Sequence, residues 1–152
     1  MPSEIYSVNV DAPIQSVWSF VSKMDQWAPL VPGYITHEIL SDKESTWKFK
    51  SDIGIMKKKV HLKVDITNWS EPTKVTFNLT GINEKFTGHG FFEAQSLTDQ
   101  TTRMTGSLTI NAQGAMAKMV NSILQSTVPE MTRQLTESVA ARIEELQSTP
   151  TR

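Results

Sequence analysis

The chain of 152 residues contains no cysteine. That absence excludes disulfides, thiolate nucleophiles and cysteine-ligated zinc or iron–sulfur centres. Charge of one sign is also lacking: 15 Lys and Arg against 16 Asp and Glu leave a formal net charge of −1. Such a balance gives no bulk attraction to nucleic acid, and none is expected as a partner. No apolar run approaches the about 20 residues that cross a bilayer. The opening Met1-Pro2-Ser3-Glu4-Ile5-Tyr6 has neither a basic nor an apolar segment of the kind that directs secretion. A cytoplasmic setting is the expectation. No HExxH, P-loop, dinucleotide fingerprint or nucleophile-elbow pattern occurs. No carboxylate pair is spaced for acid–base work. The expectation is therefore no catalytic residue, no metal and no cofactor, with enzymatic activity the less favoured reading.

What is present suits one globular domain, expected over residues 1–147 with a polar tail at 148–152; hydrophobic residues make up 38% of the chain. Ile5 to Val10 alternates as a strand with Tyr6, Val8 and Val10 on one face. Asp11-Ala12-Pro13 reads as a helix start, with the Asp side chain as acceptor, before a short helix from Ile14 to Val21. A second helical turn follows from Met24 to Leu30 and is ended by Pro29, Pro32 and Gly33. Six further strands are separated by short polar turns, at Ile35–Leu40, Thr46–Lys50, Lys58–Thr67, Val75–Leu79, Phe86–Ala94 and Thr102–Asn111. Short links of this kind make an antiparallel meander, since a parallel crossover needs a longer connection. Within it, Val60, Leu62, Val64 and Ile66 alternate with Lys59, His61, Lys63 and Asp65, one dry face against one wet face. From Ala115 to Leu146 the period changes to that of a helix, with Pro129 predicting a kink or break near Ser126 to Val128.

Gly88 and Gly90 share the parity of Phe86 and Phe92, and Gly106 that of Met104 and Leu108. A turn centred near Thr98 would make Gly90 and Gly106 cross-strand neighbours. Strand glycines mark bends or close backbone approach. Here they would curl the sheet around the helix and either leave an apolar cavity between the two or simply allow tight packing.

The order of these elements carries a resemblance. A strand, Asp11-Ala12-Pro13, Val17-Trp18-Ser19-Phe20, Trp27, Val31-Pro32-Gly33, a meander and a long C-terminal helix together resemble the helix-grip superfamily (START-related, SRPBCC), over about Ile5 to Leu146. Leu30 to Gly33, Gly88, Gly90 and Gly114 are most similar to the CoxG branch, which is associated with carbon monoxide dehydrogenase. The resemblance implies an α+β helix-grip fold: a curved seven-stranded antiparallel sheet around the long C-terminal helix, with two short helices after the first strand. It also implies a pocket between sheet and helix for a quinone-like, sterol-like or polyketide-like ligand, and for the CoxG branch an association with maturation of a membrane-associated redox enzyme.

On parity, the walls of such a site are expected from Trp47, Phe49, Val64, Phe77, Leu79, Phe92, Met104, Leu108, Met116, Met119, Val120 and Ile123, and its mouth from Trp27, Leu30, Val31 and Tyr34. His37 has the parity of Ile35 and Ile39 and is an inward candidate, whereas His61 and His89 fall on outward positions, so the three histidines do not converge on a metal. The function expected is a carrier or binding protein for an apolar small molecule or lipid. The alternatives are a cyclase- or dehydratase-type enzyme on the same fold, for which Tyr34 and His37 are the inward polar groups, and an adaptor in enzyme maturation. Arg103 has the outward parity. Lys57, Lys58 and Lys59, with Ile53, Ile55 and Met56 beside them, suggest a peripheral contact with an anionic membrane.

Overall fold

The computed structural model describes residues 2–53, 56–82 and 85–148, with the side chains of 51–58 and of 148 left aside. The expected tail lies outside these from residue 149 on, as do Gly54 and Ile55 of the β-hairpin expected to touch a membrane. Seven strands form one antiparallel sheet in the order β1-β7-β6-β5-β4-β3-β2. They are β1 (Ser3–Val10), β2 (Tyr34–Ile39), β3 (Glu44–Ile53), β4 (Met56–Ser70), β5 (Lys74–Gly81), β6 (Phe86–Thr98) and β7 (Thr101–Ala112). Each neighbour in sequence from β2 to β7 is a neighbour in space, as short links require. Only β1 is set apart, paired with β7 at the edge of the sheet opposite β2.

The helices α1 (Ile14–Val21) and α2 (Met24–Trp27), continued by a 3₁₀ turn at Ala28–Leu30, carry the chain between the two edge strands β1 and β2. Asp11 does not cap α1. The carbonyl of Pro13 accepts the first bonds, from the amides of Ser16 and Val17, and the Asp11 amide donates instead to Glu144 near the far end of the last helix. α1 buries Val17, Trp18, Phe20 and Val21, and the turn after it buries Met24, Trp27 and Ala28.

The last helix, α3 (Ala117–Ser148), runs through Pro129 without a break, where the sequence predicts a kink or a break. Proline removes one amide donor, but the neighbouring turns are secured by side chains: Thr127 and Ser126 donate to the Ile123 carbonyl, and Thr132 to that of Val128. Its buried residues, Leu124, Val128, Thr132, Thr136, Val139, Ala140 and Ile143, recur every three or four positions and face β1 and β7. None of the helices among the described residues is long and apolar enough to cross a membrane.

Candidate functional site: the concave face of the sheet

Paired residues of adjacent antiparallel strands share a face, so the register defines the concave side. Phe49 pairs with Val60, Trp47 with Leu62 and Ser45 with Val64. Val64 pairs with Leu79 and Ile66 with Phe77, and beyond them Phe77 lies opposite Gly90 and Val75 opposite Phe92. Gly90 in turn faces Leu108, and Phe92 faces Gly106. The expected pairing of Gly90 with Gly106 does not occur. A bulge between Ser96 and Thr98 and a two-residue turn at Asp99–Gln100 shift the register.

The centre of this face is filled. Trp27, expected at a mouth, is instead buried among Trp47, Phe77 and Phe92, with ring centroids 5.1, 5.4 and 5.0 Å away. Its indole Nε1–H donates to the Val21 carbonyl at 3.1 Å. The Trp47 Nε1–H donates to Ser45 Oγ at 2.7 Å, and that buried hydroxyl donates to Met24 Sδ at 3.2 Å, so both indoles are satisfied inside an apolar core. The glycines do not leave space there. A side chain on Gly90 would collide with the Phe77 ring, and one on Gly106 with the Thr136 hydroxyl of α3. Their missing volume is taken up by packing.

The face is less completely covered towards the start of α3. Met116 and Met119 are 58% and 44% exposed, and Val120 and Ile123 are half-buried, whereas Val128, Thr132, Thr136, Val139, Ala140 and Ile143 are buried, with Met131 and Leu135 half-buried among them. On the sheet, Phe49, Phe86 and Ile110 are likewise only partly buried against the core, and the Asn121 side chain of α3 bonds to Ala112, the partner of Phe86. Leu30 and Tyr34 rim the same region, with Val31 buried between them. Of the remaining candidates, Val64, Leu79, Met104 and Leu108 are buried core residues. Phe86 and Ile110 join the expected wall residues here; the parity that Phe86 shares with Gly88 and Gly90 is the signal for it in the sequence.

Two polar side chains stand at the edge of this region. Gly33, with φ of 82°, makes a turn in which its carbonyl accepts the Lys50 amide at 2.7 Å; a side chain there would meet the Lys50 carbonyl. Immediately after it β2 has a bulge between Tyr34 and Thr36. Tyr34 pairs with Phe49 and His37 with Trp47, so the bulge puts two residues three apart onto the same concave face. Tyr34 Oη and His37 Nδ1 are hydrogen-bonded at 2.7 Å, and both side chains are half-buried. His89 and Arg103 are exposed and outward. No group of His, Cys, Asp or Glu among the described residues is arranged to hold a metal.

At the opposite end of β4 lies a second, open concavity lined by Ser41 to Glu44, Asp65, Ile66 and Trp69. Lys63 bridges Glu44 and Asp65 beside it, at 2.8 and 3.5 Å. The hydrogen bond to Lys63 holds the Glu44 carboxyl below its ordinary range, and the same bond, with the charge of Asp65, raises Lys63. The ion pairs are well exposed to solvent, and the Trp69 indole N–H beside them is buried without a hydrogen-bond partner among the described residues.

A family model matches residues 1–146 of the chain. No curated protein matches it in sequence. Among solved structures, a conserved protein from Geobacillus kaustophilus superposes with a TM-score of 0.78 at 14% identity, covering 94% of this chain and 95% of the other. The Zhui aromatase/cyclase from Streptomyces sp. R1128 gives 0.76 at 14% identity, over 97% and 96% of the two chains. A START superfamily protein from Mycobacterium smegmatis gives 0.70 at 15% identity, over 95% and 98%. At such identities the likeness is one of fold: the curved sheet, the short helices and the long C-terminal helix.

Proposed function

We propose that this chain, which shares its fold with START-related (SRPBCC) proteins, is a binding or carrier protein for an apolar small molecule or lipid, held between the sheet and the first half of α3. One observation carries this reading, the unequal seating of α3. Its fully buried residues fall mostly from Val128 onward, with Met131 and Leu135 half-buried between them, while before Val128 only Leu124 is buried, Val120 and Ile123 are half-buried and Met119 is exposed. A region lined by apolar side chains with one polar pair at its edge has the makeup of a small-molecule site. The carrier reading favours quinone-, sterol- or polyketide-like ligands, and a cytoplasmic setting consistent with the absence of cysteine.

Collection of such a ligand from a bilayer is part of the proposal. Ile82 donates its amide to the His61 carbonyl at one end of the sheet, and Gln113, just before α3, donates to the Lys85 carbonyl there. Ile82, Met116 and Met119 are therefore exposed apolar residues at the end to which the Lys57-Lys58-Lys59 hairpin of β3 and β4 also belongs. Exposed apolar residues and a basic stretch of sequence at one end of the sheet suit an anionic membrane surface. A CoxG-like role beside a membrane-associated redox enzyme rests on Leu30 to Gly33, Gly88, Gly90 and Gly114. A cyclase-type activity is favoured only by the Tyr34–His37 pair.

Native mass spectrometry of the protein purified from its own host, followed by lipid extraction, tests the carrier reading. A stoichiometric apolar adduct is the expected result. A clean apo mass that persists after incubation with host lipid extract would overturn it.

A further inference from the structure

We infer that the Tyr34–His37 pair is the polar anchor of this site and selects an apolar ligand bearing a hydroxyl group, an alcohol or a phenol. The inference rests on the concave face being the ligand site.

The argument starts from hydrogen-bond inventory. The phenol and imidazole share one bond, at 2.7 Å between Tyr34 Oη and His37 Nδ1. If the phenol donates, the imidazole carries its hydrogen on Nε2, which remains a donor, and the phenol oxygen keeps acceptor lone pairs. If Nδ1–H donates, the phenol O–H is released as a donor and Nε2 accepts. In either arrangement the neutral pair offers one further donor and one acceptor. A hydroxyl complements both, since it donates and accepts through one atom. An ether or a ketone only accepts and leaves one group of the pair unsatisfied, at a cost once the ligand has displaced water.

Placement makes the pair available to a ligand on this face. The bulge turns both side chains to the concave side, opposite Phe49 and Trp47. Trp47 already has its own partner in Ser45, so it does not compete for the pair. Both residues are half-buried, which strengthens their bonds relative to bulk water and still leaves them accessible. Among the described residues, the other buried hydroxyls around this face are engaged: Ser45 with Met24 and Trp47, Thr136 with the Thr132 carbonyl, and Thr102 with the Ala12 carbonyl.

The test compares 2-naphthol with 2-methoxynaphthalene by isothermal titration calorimetry on the whole chain. The methyl ether is the more apolar of the two, so an apolar groove without an anchor favours it. The expected result is the reverse, a preference of about tenfold for the naphthol. In Tyr34→Phe and in His37→Leu that preference disappears; circular dichroism verifies the fold of each variant. Equal affinities in the unaltered protein, or a preference that survives both substitutions, would overturn the anchor and leave the ligand site standing. Failure of both probes to bind the unaltered protein would remove the site and the anchor together.

Discussion

The Thr136 hydroxyl of α3 occupies the space that a side chain on Gly106 of β7 would fill, so helix and strand meet there with only a hydrogen on one side. Thr136 is itself fixed by donating to the Thr132 carbonyl at 2.7 Å. This contact sets how closely α3 can approach the sheet. Gly106→Ala is expected to cost about 1–3 kcal/mol, as overpacking of a core does. In a Thr136→Ala background the penalty should shrink, because the nearest remaining atom, Thr136 Cβ, is 3.4 Å from the new methyl. Urea denaturation of the two single variants and the double variant measures the coupling. Simple additivity of the two costs would show that the hydroxyl is not what the methyl meets.

Ser45 supports the core in a different way. It is fully buried and accepts the Trp47 indole bond in a place closed to solvent. Ser45→Ala should destabilise the domain by about 1–3 kcal/mol, the cost of an orphaned buried donor, although it removes a single oxygen. The same denaturation experiment reads it, and a loss within error of zero would mean the indole finds another acceptor.

Much of the fold is legible in the alternation of the chain. The parity of Val60 to Ile66, the spacing of Leu124 to Ile143 and the short turns of the meander yield the sheet and its helix, because burial of one face enforces both periods. The parts that are not legible share one cause. Bulges at Tyr34/Thr36 and Ser96/Thr98 add a residue to a strand without changing its composition, so the joining of Tyr34 to His37 and the true partners of Gly90 and Gly106 leave no trace in the pattern. The place of Trp27 is hidden for a related reason: a tryptophan in a four-residue helix has no periodicity to show whether it points to solvent or fills the centre of the sheet. The strand glycines do mark close approach, as their parity implies, but their space belongs to Phe77 and Thr136 rather than to a ligand.

For the ligand site, Val120→Trp is the discriminating substitution. Val120 is half-buried on the first half of α3, so the larger side chain can extend over the concave face without entering the closed core. The expected outcome is loss of ligand affinity of about tenfold or more, with unchanged thermal stability, measured with the adduct identified by mass spectrometry. Retained affinity with an intact fold would place the ligand elsewhere.

The ion pair at the other end of the sheet has a pH window of its own. Lys63 lowers Glu44, so the contribution of Glu44 is present above the ordinary carboxylate value and lost as pH falls through its folded value. Lys63 is raised, so its contribution is present below the ordinary lysine value and lost as pH rises through the folded one. Glu44→Gln should therefore melt slightly below the unaltered protein at neutral pH, and the gap should close in acid. A gap that stays constant on acidification would show that the carboxylate charge contributes nothing. The effect is small, since both side chains are well exposed.

The two halves of α3 also differ in how readily their backbone opens. Residues 132–143 are tied down by buried side chains and by Thr136 over Gly106, so their amide hydrogens should exchange only when the whole domain unfolds. Residues 117–125 lie ahead of the one position in the helix that has no amide hydrogen, Pro129, and bury little beyond Leu124. Their main tie to the sheet is polar, the Asn121 side-chain amide bonded to both the amide and the carbonyl of Ala112, so their amide hydrogens should exchange by local opening ahead of those of residues 132–143.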